Sequence, residues 1–392
     1  MNKIKIGILG IGNMGCSHAG YIRNGKCPEL EITAICDNNP QRLAWAKTQS
    51  YGQSITYFDD AIAMLDSGRI DGCIIAVPHY EHVKYAIACM ERGIHVMLEK
   101  PAGVLSSQVR KMNAVSENHP EVVFGLMFNQ RTNCLYRKLH QLVHSGDYGQ
   151  IRRTNWIITN WYRTQAYYDS GAWRGTWSGE GGGILMNQAP HQLDLWQWIC
   201  GMPVKVHAHM RFGAWHDIEV EDEVTAWVEY ENGATGTFIA STGEIGGVNR
   251  LEIQLDRARL LVEKGKLFLE EYEMTDREFN IANKNPYGKV KTTLQEVPTD
   301  GENPQHPGVL NAWAAAILRN EPLVAEGKEG IHALTLSNAM HLSAFLGKEV
   351  QIPFDEDLYE KELMKRVETS RKKETQPVFV NDRDSYGYGS TH

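Results

Sequence analysis

The sequence predicts an α/β protein in two unlike parts: a parallel sheet wound with helices over residues 1–126, then an α/β domain with an open, largely antiparallel sheet over 127–353. Three observations predict it. Short buried-strand patterns alternate with helical ones up to residue 126, the first strand breaks into a G-x-G-x-x-G turn, and from about residue 151 long stretches of alternating polarity take over. A chain of 392 residues also exceeds what one core usually fills.

Residues 3–9 form an apolar, β-branched run that enters Gly10-Ile11-Gly12-Asn13-Met14-Gly15 and then an amphipathic stretch to about residue 24. That order reads as strand, tight turn, helix. The first glycine of such a turn permits the bend, the second lets backbone approach a pyrophosphate, and the third packs the helix on the strand. The N–H groups opening the helix, around Asn13 and Met14, then face negative charge. A glycine-rich turn also occurs where nothing binds, so the next strand matters. Residues 31–36 end at Asp37, about where a dinucleotide fold places its ribose-binding acid. A carboxylate there accepts the ribose hydroxyls and repels a 2′-phosphate, which predicts NAD ahead of NADP, although Arg42 lies close by in sequence.

The remaining elements follow in order. A helix over 39–50 has Asn39 as cap and Pro40 in its first turn. Next come a strand at 56–58, a helix at 60–67, and a strand over 71–77 stopped by Pro78. A helix from 81 to 92 ends at Gly93, and strand 95–98 leads into Glu99-Lys100-Pro101. Helix Ser106–Asn118 and strand 122–126 close the first part. Gly10, Asp37, Pro78 and Lys100 thus fall at the carboxyl ends of parallel strands, where such sheets bind ligands. Asn129 and Arg131 lie in the crossover to the second part.

There, 151–160, 204–212, 224–230, 233–240 and 251–261 read as strands, with Asn232-Gly233 as a hairpin turn. One helix spans 184 to about 200, with Pro190 interrupting it or marking its start near His191. A helical pair at 307–319 and 330–346 is expected to pack back on the first domain. The charged stretch 354–392 reads as a tail, either partly disordered or wrapped on a neighbouring subunit.

Composition narrows the function. The net charge of −8 gives no electrostatic reason to bind nucleic acid or an anionic membrane, so a small-molecule partner is expected. Seven cysteines without C-x-x-C spacing suggest reduced thiols and no metal site. No apolar run reaches membrane-spanning length, and the chain enters its first strand at once, so a cytoplasmic location is expected.

Two clusters carry chemistry. Lys100 stands at a strand end, and Pro101 holds it out of helical geometry and permits a cis bond. Taken alone it would be an ordinary surface lysine. In the second cluster the run Gly181-Gly182-Gly183 leads to Asn187, His191 and Asp194, which share one helical face. Asp194 would hold the imidazole in one tautomer, and Asn187 offers a donor and an acceptor to a bound hydroxyl. The plainer alternative is a buried structural histidine; against it, the glycine run allows something to approach closely. Nearby, Trp161, Tyr162, Arg163, Tyr167, Tyr168, Trp173, Arg174 and Trp177 supply the stacking faces and donors that suit a pyranose, or else an aromatic subunit contact.

The glycine turn, Val77-Pro78 with His82, Glu99-Lys100-Pro101, and the glycine run leading to His191 and Asp194 together resemble the Gfo/Idh/MocA family of sugar and inositol dehydrogenases, over roughly residues 1–353. The resemblance implies an N-terminal Rossmann domain and a homodimer or homotetramer formed through the C-terminal sheet. It implies NAD held by Gly10, Gly12, Asn13, Met14, Gly15, Asp37, Arg42, Pro78, His82, Glu99 and Lys100. By the same likeness His191 matches the general base, and Lys100 the residue that holds the reacting oxygen. Asn187 stands where many members have Asp, which puts a dyad with His191 in question. The substrate side would comprise Lys100, Asn129, Arg131, Tyr162, Arg163, Trp173, Arg174, Asn187 and His191. Asn-Gln before the histidine is similar to members that oxidise a C3 hydroxyl, so oxidation of a sugar, glycoside or cyclitol is expected. The alternatives are an NAD-recycling glycosidase or lyase acting through a 3-keto sugar, and a non-catalytic sensor.

Overall fold

The computed structural model describes residues 3–49, 51, 54–371 and 373. Its first part runs β1 (Ile4–Leu9), α1 (Asn13–Arg23), β2 (Leu30–Cys36), α2 (Pro40–Thr48), β3 (Thr56–Phe58), α3 (Ala61–Leu65), β4 (Gly72–Ile75), α4 (His82–Met90), β5 (His95–Leu98), α5 (Ser106–Asn118) and β6 (Phe124–Leu126). All six strands are parallel, in the order β3-β2-β1-β4-β5-β6. Ile6, Ile8, Ile74 and Ile75 are fully buried because helices cover both faces, which is why these strands read as unbroken apolar runs. Strand order reverses between β1 and β4, opening a crevice at their carboxyl ends. Asn39 caps α2, accepting from the N–H groups of Gln41 and Arg42, as its sequence predicts.

The second part runs α6 (Cys134–His144), β7 (Ile151–Ile158), α7 (Gln165–Asp169), α8 (Trp177–Glu180), α9 (Pro190–Cys200), β8 (Lys205–Phe212), β9 (Glu221–Glu229) and β10 (Thr235–Ser241). It continues through β11 (Asn249–Leu255), β12 (Ala258–Glu263), β13 (Lys266–Tyr272), α10 (Asp276–Ala282), β14 (Thr292–Glu296), α11 (Gln305–Arg319), α12 (Gly330–Leu346), β15 (Val350–Gln351) and α13 (Glu356–Glu368). Nine strands form one sheet, β14-β13-β12-β11-β7-β10-β9-β8-β15. Only β7 and β10 pair in parallel. One face packs on helices and the other stays partly open, which gives the alternation seen along β9 and β12.

Three expectations need correcting. Residues 251–261, read as one strand, are the ends of β11 and β12, which pair antiparallel across Asp256-Arg257. The helix read from residue 184 begins at Pro190, the later start that the proline itself marks; residues 183–189 form turns, with Met186 and Asn187 N–H both donating to the Gly183 carbonyl. The start of the presumed tail is α13, capped by Asp355 and seated on its own chain through buried Tyr359 and Leu363. Its remainder from residue 374 lies outside the described residues.

Helix α11 returns to the first domain. Trp313 is fully buried there, and its Nε1 donates to the Val123 carbonyl at 3.2 Å. Gly72 makes room for it, since a Cβ at that position would lie 2.8 Å from the indole ring. Helix α12 fastens both parts: Asn338 bonds Ser106 N–H and the Val104 carbonyl, and Ser343 accepts from Ala208 N–H on β8.

Candidate active site

At the carboxyl ends of the parallel strands the glycine turn is built as its spacing demands. Gly10 has φ +88°, and a Cβ on Gly15 would lie 1.9 Å from the Gly10 carbonyl oxygen, so turn and helix are in contact. Gly12 caps α1 with open space around it and no side chain bonded across the helix start. Asp37 accepts from Ile11 N–H at 2.9 Å and Asn39 N–H at 2.8 Å, which sets its carboxylate beside that open start. Arg42 lies in the first turn of α2, close enough for its charge to be felt at Cys16. These residues fit a dinucleotide: uncapped N–H groups for its phosphates and an acid for its ribose.

The ends of β4 and β5 are locked together behind the turn. The ring of His82 lies 2.8 Å from the Val77 carbonyl oxygen and 2.7 Å from that of Pro101, and Lys100–Pro101 is cis. Pro78 opens the short turn His79–Glu81. Glu99, buried, meets His18 of α1 at 2.7 Å. Burial pushes the Glu99 carboxyl up, but the bond to His18 and the nearby charges of His18, His306 and Lys100 outweigh it and hold the group at about 2. His18 and His306 were not singled out from sequence. The only signal was a polar ring on the apolar stripe of α1, four residues before buried Ile22.

Lys100 reaches across to the second part, where its Nζ donates to the Asn187 carbonyl at 2.8 Å. Burial lowers its pKa; Arg174 and Arg163 add to that, while Glu99 and Glu180 oppose it. His191, on the first turn of α9, is 5% exposed, and among the described residues neither of its ring nitrogens has a hydrogen-bond partner. Burial, with Lys100 and His306 acting in the same sense, holds its pKa well below the usual histidine range. The imidazole is therefore neutral at neutral pH, with both ring nitrogens left uncovered by the protein among the described residues.

Asp194 does not orient that ring. It takes two bonds from Arg131, at 2.8 and 2.7 Å, and one from Gln197, because a guanidinium fork matches a buried carboxylate better than a neutral imidazole does. Arg131, expected on the substrate side, is spent on Asp194 and on Glu329 at 2.7 Å, with its side chain 3% exposed. Asn129 is fully buried and donates to Gln305, while its oxygen has no partner among the described residues.

Nor does the glycine run make room for a ligand. A Cβ on Gly183 would lie 2.0 Å from the Glu221 carbonyl oxygen, and the Glu221 carboxylate accepts from Gly183 N–H at 2.8 Å and Leu185 N–H at 3.0 Å, with His341 3.0 Å away. What approaches closely is the protein itself: backbone at Gly183, and the side chains of Val104 and Met186 at Gly181 and Gly182. Asn187 follows, outside the helix, with its Nδ2 donating to Glu180. Glu180 is 2% exposed, and burial raises its carboxyl against the pull of Arg174.

The aromatic loop lies alongside. The Arg174 guanidinium sits 4.5 Å from the ring centres of both Tyr167 and Trp173 and donates to the Tyr167 hydroxyl, which also accepts from Gln188. Trp173 meets His79 edge-on, and His79 lies 3.0 Å from the Glu180 carbonyl. Arg163 stacks over Tyr167 and donates to the Tyr162 carbonyl; Tyr162 is exposed. Lys100, Asn187, Arg174, Trp173 and Arg163 are thus brought together, while Arg131 is bonded to Asp194 and Glu329, and Asn129 to Gln305.

Comparison with known proteins agrees with this architecture. Residues 4–125 match the family model described as an oxidoreductase family with an NAD-binding Rossmann fold, and residues 136–261 match the GFO/IDH/MocA C-terminal domain. D-glucoside 3-dehydrogenase of Escherichia coli is 24% identical over 90% of this chain and 98% of its own. The rhizopine catabolism protein MocA of Rhizobium meliloti is 24% identical over 51% of this chain, so the chain spans 58% of that relative's length. Inositol 2-dehydrogenase of Corynebacterium glutamicum is 25% identical, over 52% of this chain and 56% of its own. Among solved structures, the WlbA dehydrogenase of Chromobacterium violaceum with NADH and UDP-GlcNAcA superposes with a TM-score of 0.77 at 26% identity, covering 91% of this chain and 97% of that one. With both halves matched in order, the chain belongs to the Gfo/Idh/MocA family of NAD-binding oxidoreductases.

Proposed function

We propose that the protein is an NAD-dependent dehydrogenase oxidising a secondary hydroxyl, with C3 favoured, of a sugar, glycoside or cyclitol. The observation that carries this reading is His191: a buried, neutral imidazole with both nitrogens unpartnered among the described residues, within electrostatic reach of Lys100. Gly10, Gly12, Asn13, Met14 and Gly15 would hold the dinucleotide phosphates and Asp37 its ribose. Arg42, Pro78, His82, Glu99 and Lys100 would line the rest of the coenzyme's path. When bound, the nicotinamide supplies the hydride acceptor. His191 takes the hydroxyl proton while the carbon gives up its hydride, leaving a ketone. Lys100 keeps donors beyond the one bonded to Asn187 and turns them on the reacting oxygen, where negative charge develops. Tyr162, Arg163, Trp173 and Arg174 would offer the ring its stacking faces and donors.

The D-glucoside and inositol dehydrogenase relatives support this substrate class. The test is absorbance at 340 nm with NAD, or with NADP, and a panel of glycosides and inositols. Growth with NAD on at least one of them is expected. No signal from any of them, with NAD demonstrably bound, overturns the reading, and aglycone release without NADH accumulation moves it to the recycling alternative. We also place the subunit contact on the open sheet face, where Ile157, Trp227, Ile239, Leu261 and Phe268 stay half-exposed. Sedimentation should give a dimer or tetramer, and a monomer would refute that. A cytoplasmic location belongs to the same reading, since all seven cysteines are unpaired.

A further inference from the structure

Glu180 has no part in the scheme above, yet it is a buried carboxylate bonded to Asn187 and felt at Lys100. Its Oε2 accepts from Gly175 N–H at 2.7 Å, and its Oε1 accepts from Asn187 Nδ2. Both contacts come from donors, so the site suits a group that only accepts. Arg174, Lys100 and Glu221 surround it, and its backbone carbonyl meets His79. An amide carries its oxygen and nitrogen on one carbon. With Nδ2 turned to Glu180, the oxygen of partly exposed Asn187 is turned away from that carboxylate.

We propose that Glu180 is a positioning residue that fixes the polarity of Asn187, making position 187 an acceptor for a substrate hydroxyl next to the reacting carbon. This rests on the dehydrogenase reading. The Gly175 N–H belongs to the main chain and cannot turn round, whereas the Asn187 amide can. In E180Q the new amide must therefore give its oxygen to Gly175 and its NH2 to position 187. Asn187 then rotates and shows the substrate a donor in place of an acceptor, with almost no change in shape. N187D instead sets a second carboxylate against the buried one. The double variant restores the pattern, because the glutamine NH2 donates to the introduced carboxylate and leaves its second oxygen facing the cleft.

The test is this double-mutant cycle on the full chain, read in two ways. With NAD and the best glycoside of the panel, each single variant should lose at least about tenfold in kcat/KM, and the double should recover most of it. Wild type should also discriminate against the analogue lacking the neighbouring hydroxyl, and E180Q should lose that discrimination. Thermal melting needs no substrate. N187D should lower the midpoint, more at pH 8 than at pH 5, because protonation relieves a carboxylate pair, and the double should bring it back. Melting that shows this coupling in a chain that oxidises nothing keeps the pair and overturns the dehydrogenase reading. Turnover by wild type with no recovery in the double, or with E180Q unchanged, overturns the role of Glu180.

Discussion

At the scale of single residues, the site is held by groups whose partners decide their chemistry. Lys100 is anchored to a main-chain oxygen and depressed chiefly by burial, with two guanidinium groups adding to the effect, so its alkaline limb should come earlier than for a free lysine. Lys100→Ala removes the donor to the reacting oxygen. Turnover should fall about 10³-fold while NAD affinity, followed by fluorescence titration, stays within a few-fold. A variant that keeps wild-type turnover would remove Lys100 from the mechanism. Asp194 carries the opposite lesson. Its spacing from His191 was legible in the sequence, but its partner was not, because Arg131 approaches from 63 residues away and outcompetes the near neighbour.

At the scale of elements, the parts easiest to read were those whose local chemistry and tertiary setting agree. The parallel strands, the glycine turn and the Asn39 cap are of this kind. The Gly181-Gly182-Gly183 run was legible as a close approach but not as what it approaches, since Glu221 arrives from β9. Gly183→Ala separates the two meanings. A methyl 2.0 Å from a carbonyl oxygen must displace backbone, so stability should drop by about 2 kcal/mol in urea denaturation, and kcat should fall as Asn187 shifts. Unchanged stability would show that the run is open after all. Helix α13 was missed because charged residues are interspersed with its apolar ones: Tyr359 and Leu363 are buried, and Leu358, Met364 and Val367 pack half-buried on the same core.

At the scale of the whole molecule, many buried histidines share one direction. His79, His82, His191 and His306 are all depressed by burial, His306 to about 4. Each binds its proton more readily unfolded than folded, so the stability it lends is present above about pH 6.5 and is lost as pH falls toward the folded values. Glu180 and Asp194, raised by burial, pull the other way. We expect the histidines to prevail, and the melting temperature to fall steadily from pH 7 to pH 5. A melting temperature flat over that range would show that the histidines do not prevail over the two carboxyls. The two halves are clasped through the main chain. The ammonium of one half grips a peptide oxygen of the other, and every amino acid carries that oxygen. The clasp therefore places no demand on which side chain occupies position 187. Reactivity there can be retuned by substitution while the grip between the halves persists.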